Sequence, residues 1–228
     1  MKTSIASLSL LAITGLALAA CTPAQSVEKY DLTSDAQVLG ALATTGPQAP
    51  YQITRDDGLS EMIIAGGCFW CVESDFEKMK GVKEAISGYT GGTLDNPDYK
   101  TVSYTETGHY EAVKVIFDPS VVSYRELVDA YWRTVDPTDA RGQFCDKGSS
   151  YRTAVFATPE QMAAAQASLA QVSAEKPFAA SIVTPVLPAV TFYDAETYHQ
   201  DYYKKSKVRY KIYRNNCGRD KRLKQLWG

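Results

Sequence analysis

Two cysteines, Cys68 and Cys71, stand where a short apolar run gives way to a helical pattern. The run over 62–65 indicates a buried strand, and the next apolar residues are spaced three to four apart, as on one face of a helix. A thiol at the N-terminus of a helix meets unpaired N–H groups and the positive end of the helix dipole. Such a position can lower a cysteine pKa from roughly 8.5 to between about 3.5 and 7.5. The spacing therefore predicts a nucleophilic thiolate at Cys68, with Gly81 as the C-terminal cap of the helix.

Other cysteines keep a structural interpretation open. Cys145 and Cys217 could pair with each other or with the first two cysteines, so that all four form structural disulfides. A lone cysteine is also often a small buried apolar residue. The Cys-x-x-Cys spacing favours chemistry, because it is a known way to make a thiol acidic beside a partner thiol.

Composition limits the class of protein. The chain has 228 residues, of which 45% are hydrophobic, enough for one domain with a proper core. Its net charge is −2, with a pI near 5.8. This charge argues against nucleic acid as a partner.

The N-terminal segment is typical of export. Lys2 precedes an apolar stretch over 5–20, which is short for a membrane span, and Cys21 follows Leu-Ala-Ala. We predict a lipoprotein signal peptide over 1–20, lipidation of Cys21 and a tether over 21–58; the alternative is an ordinary secretory signal. The expected location is the periplasmic side of the cell envelope, a compartment in which disulfides persist. Anchoring in the outer membrane is favoured over the inner.

The remaining chain alternates strand and helix patterns. Strands are predicted over 82–89, 110–117, 151–157 and 184–192, the last an edge strand because it holds prolines. Helices are predicted after the capping boxes Ser123–Glu126 and Thr158–Gln161, and over 194–203. The predicted fold class is α/β (α+β): a single layered domain with a mixed sheet flanked by helices, long irregular loops and a C-terminal tail. The tail over 204–228 holds ten of the 24 basic residues and is interpreted as a solvated face.

A set of short motifs occurs in one order along the chain. They are Gly67-Cys68-Phe69-Trp70, Gly88-Tyr89-Thr90-Gly91-Gly92, Asn96-Pro97-Asp98-Tyr99, Gly108-His109-Tyr110-Glu111-Ala112-Val113, Asp118-Pro119, Asp136-Pro137, Asp146-Lys147-Gly148-Ser149-Ser150-Tyr151-Arg152 and Tyr198-His199-Gln200-Asp201-Tyr202. Over about residues 59–217 this set resembles the A-type peptide methionine sulfoxide reductases. The resemblance implies a reductase domain over 59–228 that acts on the S epimer of methionine sulfoxide, free or in oxidised proteins.

The resemblance also implies roles for individual residues. The Cys68 thiolate attacks the sulfoxide sulfur and becomes a sulfenic acid. Glu111 matches the family's acid, and its place in an apolar strand predicts a carboxyl kept protonated by desolvation. Tyr99 and Tyr151 match hydroxyl donors to the sulfoxide oxygen, and Asp146 matches a member of the same network.

Further matches concern substrate binding. Phe69 and Trp70 match the aromatic pocket that holds the substrate's methyl group, while His109 and His199 are interpreted as structural. No cofactor and no metal are expected, and the protein is expected to be a monomer.

The chain departs from the family in its cysteines, since Cys71 and Cys145 replace the commoner Gly and Asn. Three residues can then resolve the sulfenic acid: Cys71, ranked first, Cys217 second and Cys145 third, and a relay through two of them stays open. The expected electron donor is a thioredoxin-like protein.

Two other interpretations compete. One is a thioredoxin-like periplasmic disulfide oxidoreductase, which would leave Tyr99, Glu111 and Tyr151 unexplained. The other is a disulfide-stapled or zinc-bound structural lipoprotein, although the cysteine spacing gives a weak zinc pattern.

Overall fold

The chain is described by a computed structural model that covers residues 50–228. The predicted signal peptide, Cys21 and most of the tether lie outside the described residues. The tether was predicted to continue to residue 58, but Tyr51 already contacts the domain. Its N–H donates to the Ala189 carbonyl at 2.9 Å, and its hydroxyl donates to Glu61. The last residues of the predicted tether therefore pack against the sheet.

Strands and helices alternate over residues 60–131, and three helices end the chain. The strands are β1 (Ser60–Gly66), β2 (Val82–Thr90), β3 (Tyr110–Phe117), β4 (Gly142–Gln143), β5 (Asp146–Lys147), β6 (Thr153–Ala157), β7 (Val186–Pro188) and β8 (Phe192–Asp194). The helices are α1 (Phe69–Phe76), α2 (Tyr99–Tyr104), α3 (Tyr124–Tyr131), α4 (Pro159–Glu175), α5 (Tyr202–Lys205), α6 (Lys207–Asn216) and α7 (Arg219–Trp227). Within residues 50–228, no helix is long and apolar enough to cross a bilayer.

The main sheet is mixed, as predicted. In the described part of the chain it has six strands in the order β7-β6-β1-β3-β2-β8, while β4 and β5 form a separate hairpin. All neighbours in the main sheet are antiparallel except β6 and β7, which run parallel. The predicted α/β fold class, with a mixed sheet flanked by helices, is confirmed.

The central strand β1 is buried on both faces. Met62 and Ile64 belong to the larger core cluster, with residues of α1, α3 and α4, whereas Ile63 and Ala65 belong to a second cluster on the opposite face. Alternate side chains of a strand point to opposite faces, so a strand covered on both sides shows a continuous apolar run. This arrangement explains the uninterrupted run that predicted the strand.

The turn between β1 and α1 depends on a glycine. Gly67 has a φ of +77°, and a Cβ there would lie 2.5 Å from the Cβ of Gln143. Only glycine fits such a left-handed, crowded position without strain. The helix that follows ends at Phe76, so the prediction that Gly81 caps it was wrong. Gly81, at φ +93°, instead forms the turn into β2.

Local capping signals predicted two helix starts correctly. Before α3, the Ser123 hydroxyl accepts from the Glu126 N–H at 3.2 Å, and the Glu126 carboxylate accepts from the Ser123 N–H at 2.8 Å. Before α4, the Gln161 side chain accepts from the Thr158 N–H at 3.3 Å, and Pro159 occupies the first turn. These bonds satisfy N–H groups that have no partner inside the helix.

The region after α4 differs from its prediction. The single edge strand predicted over 184–192 is two strands, β7 and β8, at opposite edges of the sheet. The helix predicted over 194–203 was also wrong, because α5 begins only at Tyr202. The Gln200 side chain explains part of this difference, since its amide accepts from the Ser87 N–H at 2.9 Å and donates to the Ser87 carbonyl at 2.8 Å. The Gln200 side chain thus takes up the backbone hydrogen-bonding groups of Ser87 on β2.

Candidate active site

A cavity of about 60 Å³ lies where the β1–α1 turn meets the loops and the C-terminal helices. Its lining brings together every residue predicted for catalysis or substrate binding, apart from the resolving cysteines. The lining side chains are Cys68, Phe69, Trp70, Tyr99, Glu111, Asp146, Tyr151 and Tyr213. They come from separate stretches of the chain, which the fold brings to one place.

Cys68 sits at the predicted helix start, but the predicted pKa shift was wrong. It is the N-cap residue of α1 and is 6% exposed. Burial raises the pKa of the Cys68 thiol well above its ordinary value, and the neighbouring Cys71 raises it further. Burial disfavours a charged group. At Cys68, burial raises the pKa by more than the dipole of the two-turn helix α1 lowers it. The Cys68 side chain is therefore a protonated thiol in the resting protein.

Cys71 carries the lowered pKa instead. It lies in the first turn of α1, is 2% exposed, and its N–H donates to the Cys68 carbonyl at 3.0 Å. Hydrogen bonding from the Cys68 thiol lowers the pKa of Cys71 to about 7 in spite of its burial, and the charges of Arg219 and Arg214 act in the same direction. The lowered pKa thus falls on Cys71, three residues later than the helix-start pattern predicted.

Glu111 is buried as its apolar strand predicted. It lies on β3 opposite Tyr89, is 1% exposed, and its Oε2 accepts from the Phe69 N–H at 3.1 Å. Burial raises the pKa of Glu111 to about 8, opposed by the Phe69 N–H and assisted by the charge of Asp146. A carboxyl with this pKa carries its proton at neutral pH. It can therefore serve as a general acid beside the thiols.

Two tyrosines add hydroxyl donors to the cavity. Tyr99 opens α2, and Asp98 caps this helix by accepting from the Thr101 N–H at 2.7 Å. Tyr151 ends a 3₁₀ turn just before β6. Burial raises the pKa of both phenols, so both remain protonated and able to donate.

Phe69 and Trp70, the aromatic wall of the cavity, pack against residues outside the cavity. Trp70 stacks on Tyr202 with ring centroids 3.8 Å apart, and its Nε1–H donates to His199 Nδ1 at 3.1 Å. The Phe69 ring lies 4.9 Å from the His199 ring. Burial lowers the pKa of His199 and keeps it neutral, so it supports the wall without carrying charge. This placement agrees with the structural role predicted for it.

The other histidine has a similar structural place. His109 is buried, accepts from the Gly92 N–H at 3.3 Å and contacts the Leu94 carbonyl at 2.8 Å. Burial lowers its pKa as well. It fixes the loop after β2 and does not line the cavity.

Sequence reasoning missed Tyr213. It lies on α6, in the tail interpreted as a solvated basic face, and its hydroxyl donates to Asp146. Its ring meets Trp70 edge-on with centroids 5.9 Å apart. The sequence did hold a signal for Tyr213. It stands four residues before Cys217, a candidate resolving cysteine, and residues at i and i+4 share one face of a helix.

The remaining cysteines pair with each other. Cys145 and Cys217 form a disulfide across 72 residues, with a Cα–Cα distance of 4.8 Å, while Cys68 and Cys71 are free. The second- and third-ranked resolving candidates are thus joined to each other, and Cys71 is the free thiol beside Cys68. This disulfide ties the loop of Asp146 to the end of α6.

The described residues do not gather the four cysteines into a zinc site. The groups spaced for a cation there are Cys145, Asp146 and Cys217, and separately Glu73, Glu77 and Asp201. Neither contains the Cys-x-x-Cys pair. The zinc-bound interpretation therefore loses the ligands on which it relied.

Comparison with known proteins agrees with this geometry. The model of the family described as peptide methionine sulfoxide reductase matches residues 60–228. A relative from Caulobacter vibrioides, named peptide methionine sulfoxide reductase MsrA 2, is 50% identical over 188 residues, which are 82% of this chain and 94% of the relative. The chain belongs to the A-type peptide methionine sulfoxide reductase family. A relative of the same name from Rhizobium meliloti is 52% identical over 166 residues, 73% of this chain and 82% of its own.

Solved structures of this reductase family share the fold. Methionine sulfoxide reductase A of Corynebacterium diphtheriae is 31% identical, with a TM-score of 0.60 over 68% of this chain and 78% of its own. Reduced Mxr1 from Saccharomyces cerevisiae is also 31% identical, with a TM-score of 0.62 over 66% of this chain and 87% of its own. The prediction of a methionine sulfoxide reductase is confirmed, and the disulfide oxidoreductase and structural lipoprotein interpretations are set aside.

Proposed function

We propose that this reductase acts on the S epimer of methionine sulfoxide, free or in oxidised proteins, through a Cys68 sulfenic acid. The observation that carries this proposal is the shared cavity of Cys68 and the protonated Glu111. Sulfoxide sulfur is a poor electrophile until its oxygen receives a proton or strong hydrogen bonds. A buried acid beside a buried thiol supplies that requirement.

The first step transfers oxygen to Cys68. Glu111 donates its proton to the sulfoxide oxygen, while the hydroxyls of Tyr99 and Tyr151 donate hydrogen bonds to it. The Cys68 sulfur attacks, methionine leaves, and Cys68 keeps the oxygen as a sulfenic acid. Phe69 and Trp70 hold the methyl group, since sulfur and its methyl sit well against aromatic rings.

The second step forms a disulfide. Cys71 attacks the Cys68 sulfenic acid, the S–S bond forms and the oxygen leaves as water. We assign this role to Cys71 because it is the free thiol next to Cys68, three residues along the chain. The Cys68–Cys71 disulfide then carries the two-electron oxidation that came from the sulfoxide.

Regeneration requires a dithiol donor, and we propose a thioredoxin-like protein. Cys68 and Cys71 are 6% and 2% exposed, which keeps a macromolecular reductant away from them. Cys145 is exposed, so the Cys145–Cys217 pair offers the donor an accessible disulfide. The donor reduces the Cys145–Cys217 disulfide to two thiols. These thiols then exchange with the Cys68–Cys71 disulfide, which returns Cys68 and Cys71 to the reduced state.

The N-terminal sequence is the basis for the place of action that we propose. The signal pattern before Cys21 supports a lipid-anchored protein on the periplasmic side of the envelope, more favourably on the outer than the inner membrane. There it would repair oxidised methionines in envelope proteins.

The test is a single turnover with each epimer separately. Reduced protein carrying Cys21→Ser is mixed with the S or the R epimer, and methionine and free thiols are counted. We expect one methionine and the loss of two thiols with the S epimer, and no methionine with the R epimer. Formation of methionine from the R epimer, or from neither, would overturn the proposal.

A further inference from the structure

The carboxylate of Glu196 bonds to two tyrosines near the active-site cavity. Glu196 lies in the loop between β8 and α5. Its Oε1 accepts from the Tyr99 N–H at 2.8 Å, and its Oε2 accepts from the Tyr89 hydroxyl at 2.9 Å. Tyr99 lines the cavity, and Tyr89 lies opposite Glu111 in the pairing of β2 with β3. One side chain of this loop therefore fixes residues on α2 and on β2.

Tyr99 needs an acceptor from outside its own helix. The first N–H groups of a helix have no partner within that helix. The helix α2 has six residues, and a helix of this length has little stability of its own. The Asp98 carboxylate accepts from the Thr101 N–H at 2.7 Å, and the Glu196 carboxylate accepts from the N–H of Tyr99 itself. The two carboxylates together anchor the turn that carries the Tyr99 hydroxyl.

The bond to Tyr89 serves the core. Tyr89 is 0% exposed, and the Glu196 carboxylate accepts from its buried hydroxyl. Buried polar groups normally have a partner, because they have lost their hydrogen bonds to water. The Tyr89 ring packs against Phe69, with ring centroids 5.9 Å apart. This second bond is a structural role of Glu196, distinct from its hold on Tyr99.

His199 directs an unpaired N–H toward the same carboxylate. Because its Nδ1 accepts from the Trp70 Nε1–H at 3.1 Å, the neutral ring carries its proton on Nε2. That Nε2 is buried without a hydrogen-bond partner among residues 50–228, and the Glu196 Oε2 lies 4.0 Å from it. This distance is too long for a hydrogen bond, but a negative charge there favours a proton on Nε2. The carboxylate therefore keeps Nδ1 as the acceptor for Trp70.

We propose that Glu196 is a positioning residue for both ends of the bound sulfoxide group. It holds Tyr99 where the phenol hydroxyl reaches the sulfoxide oxygen. Through the proton on His199 Nε2 it also holds Trp70, which binds the methyl group. The inference rests on the proposed function, in which Tyr99 and Trp70 contact the substrate. Glu196 is not among the side chains that line the cavity, so it acts through these neighbours.

Glu196 is ionised at neutral pH, as this role requires. Burial acts to raise its pKa, but the hydrogen bonds from the Tyr99 N–H and the Tyr89 hydroxyl act the other way, and the pKa lies below its ordinary value. Burial lowers the pKa of His199, so the ring that faces Glu196 is neutral. Substitutions of Glu196 should therefore lower the turnover rate without moving the limb of the pH profile that belongs to Glu111.

The first test measures a single turnover of the S epimer at increasing substrate concentration, in proteins that carry Cys21→Ser. Glu196→Ala should lower the rate constant at saturation by about 10 to 100-fold, because a misplacement of about 1 Å can cost that much. The substrate concentration at half saturation should rise as Trp70 loosens. Glu196→Gln keeps an acceptor for one of the two donors and should lose less.

The matched control is Glu106→Gln, because Glu106 is an exposed carboxylate just after α2. It should leave the rate constant unchanged. Circular dichroism verifies folding, and if Glu196→Ala does not fold, Glu196→Gln provides the measurement. An unchanged rate constant in a folded Glu196 variant would overturn the inference.

A double-substitution cycle separates positioning from a general loosening of the fold. Tyr99→Phe removes the hydroxyl that Glu196 places, and should itself lower the rate constant by about 10²-fold. In the Tyr99→Phe protein, Glu196→Ala should then change the rate constant at saturation by less than about threefold, because effects transmitted through one residue do not add. Full multiplication of the two effects would overturn the inference.

The structural bond is tested by Tyr89→Phe, which removes the other hydrogen bond to Glu196 and should leave the rate constant nearly unchanged. A loss as large as that of Glu196→Ala would assign the effect to the core and overturn the inference.

A readout without turnover separates this inference from the proposed function. The indole N–H signals of the three tryptophans are followed by ¹⁵N NMR, and Trp70→Phe identifies the signal of Trp70. Glu196→Gln should move that signal, because the acceptor ring of His199 loses the charge that faces its Nε2. The signals of Trp132 and Trp227 should stay in place as internal controls.

The two ideas fail in different ways. An unmoved Trp70 signal in a Glu196→Gln protein that reduces the S epimer at the normal rate would overturn the inference and leave the proposed function intact. A shifted Trp70 signal, with no methionine formed even by the unsubstituted protein, would instead contradict the proposed function.

Discussion

The Tyr213 hydroxyl donates a hydrogen bond to the Asp146 carboxylate, joining α6 of the C-terminal tail to the loop hairpin of the active site. The Cys145–Cys217 disulfide joins the same two segments, one residue from Asp146 and one turn from Tyr213. Tyr213 also touches the edge of Trp70, which stacks on Tyr202. The tail is therefore part of the catalytic cavity, and the site is complete only when α6 is docked.

Removal of that hydrogen bond should slow the chemistry. Tyr213→Phe leaves the ring but deprives Asp146, whose pKa burial already raises, of its donor. A lost buried hydrogen bond of about 1 to 1.5 kcal/mol corresponds to roughly a tenfold lower single-turnover rate. Tyr104→Phe is the control, because Tyr104 is 79% exposed. An equal rate in both variants would remove Tyr213 from the mechanism.

Cys68→Ser should abolish methionine formation. Serine keeps the shape and a hydrogen-bond donor but has no sulfur to accept the oxygen. The measurement is methionine formed from the S epimer in a single turnover, with circular dichroism to verify folding. Turnover above the uncatalysed background would show that another thiol attacks the sulfoxide.

Glu111→Gln should slow the first step by about 10² to 10⁴-fold, because an amide cannot give its proton to the sulfoxide oxygen. In the unmodified protein the single-turnover rate should fall as pH rises through about 8, where Glu111 loses its proton. The Gln variant should lack this descending limb. The measurement is the single-turnover rate of both proteins from about pH 5 to about pH 10. If both proteins show the descending limb, a group other than Glu111 causes the fall in rate.

The same substitution should change how stability depends on pH. The pKa of Glu111 is raised from 4.5 to about 8 in the fold, so its stabilising protonation is complete below pH 4.5 and is lost as pH rises through about 8. Glu111→Gln does not lose this contribution. Between about pH 5 and pH 9 the variant should gain on the order of 4 kcal/mol relative to the unmodified protein in denaturant unfolding. Parallel stability curves would contradict the buried, protonated carboxyl.

The surface disulfide should matter for cycling and not for the first turnover. With Cys145→Ser and Cys217→Ser together, a single turnover should still consume two thiols, those of Cys68 and Cys71. Steady-state turnover with a thioredoxin-like donor should fall by at least about tenfold, because the exposed exchange partner is gone. A small dithiol that reaches the buried pair should restore much of the rate. An unchanged steady-state rate with the protein donor would instead show that the donor reduces the Cys68–Cys71 disulfide directly.

Local signals determined much of the fold in advance. The apolar run of β1, the Gly67 turn and the Ser123–Glu126 capping box each depend on residues within a few positions of one another, so the sequence predicts them directly. The role of Glu111 was predicted from the resemblance to the reductase family, because a strand carboxylate taken alone would more often face outward; in the structure its chain neighbours Tyr110 and Ala112 are buried as well. Signals of this kind failed over 194–203, where the Gln200 side chain bonds to a strand 113 residues earlier.

Only the tertiary structure decided the surroundings of the cysteine pair. The helix-start pattern predicts a lowered pKa at Cys68, yet burial raises the pKa of that thiol, and hydrogen bonding from Cys68 lowers the pKa of Cys71. The pairing of Cys145 with Cys217 and the entry of Tyr213 into the cavity depend on the same docking of the tail. A pKa and a disulfide partner are set by what surrounds a side chain in space, and here the contacting groups lie 67 to 153 residues apart along the chain.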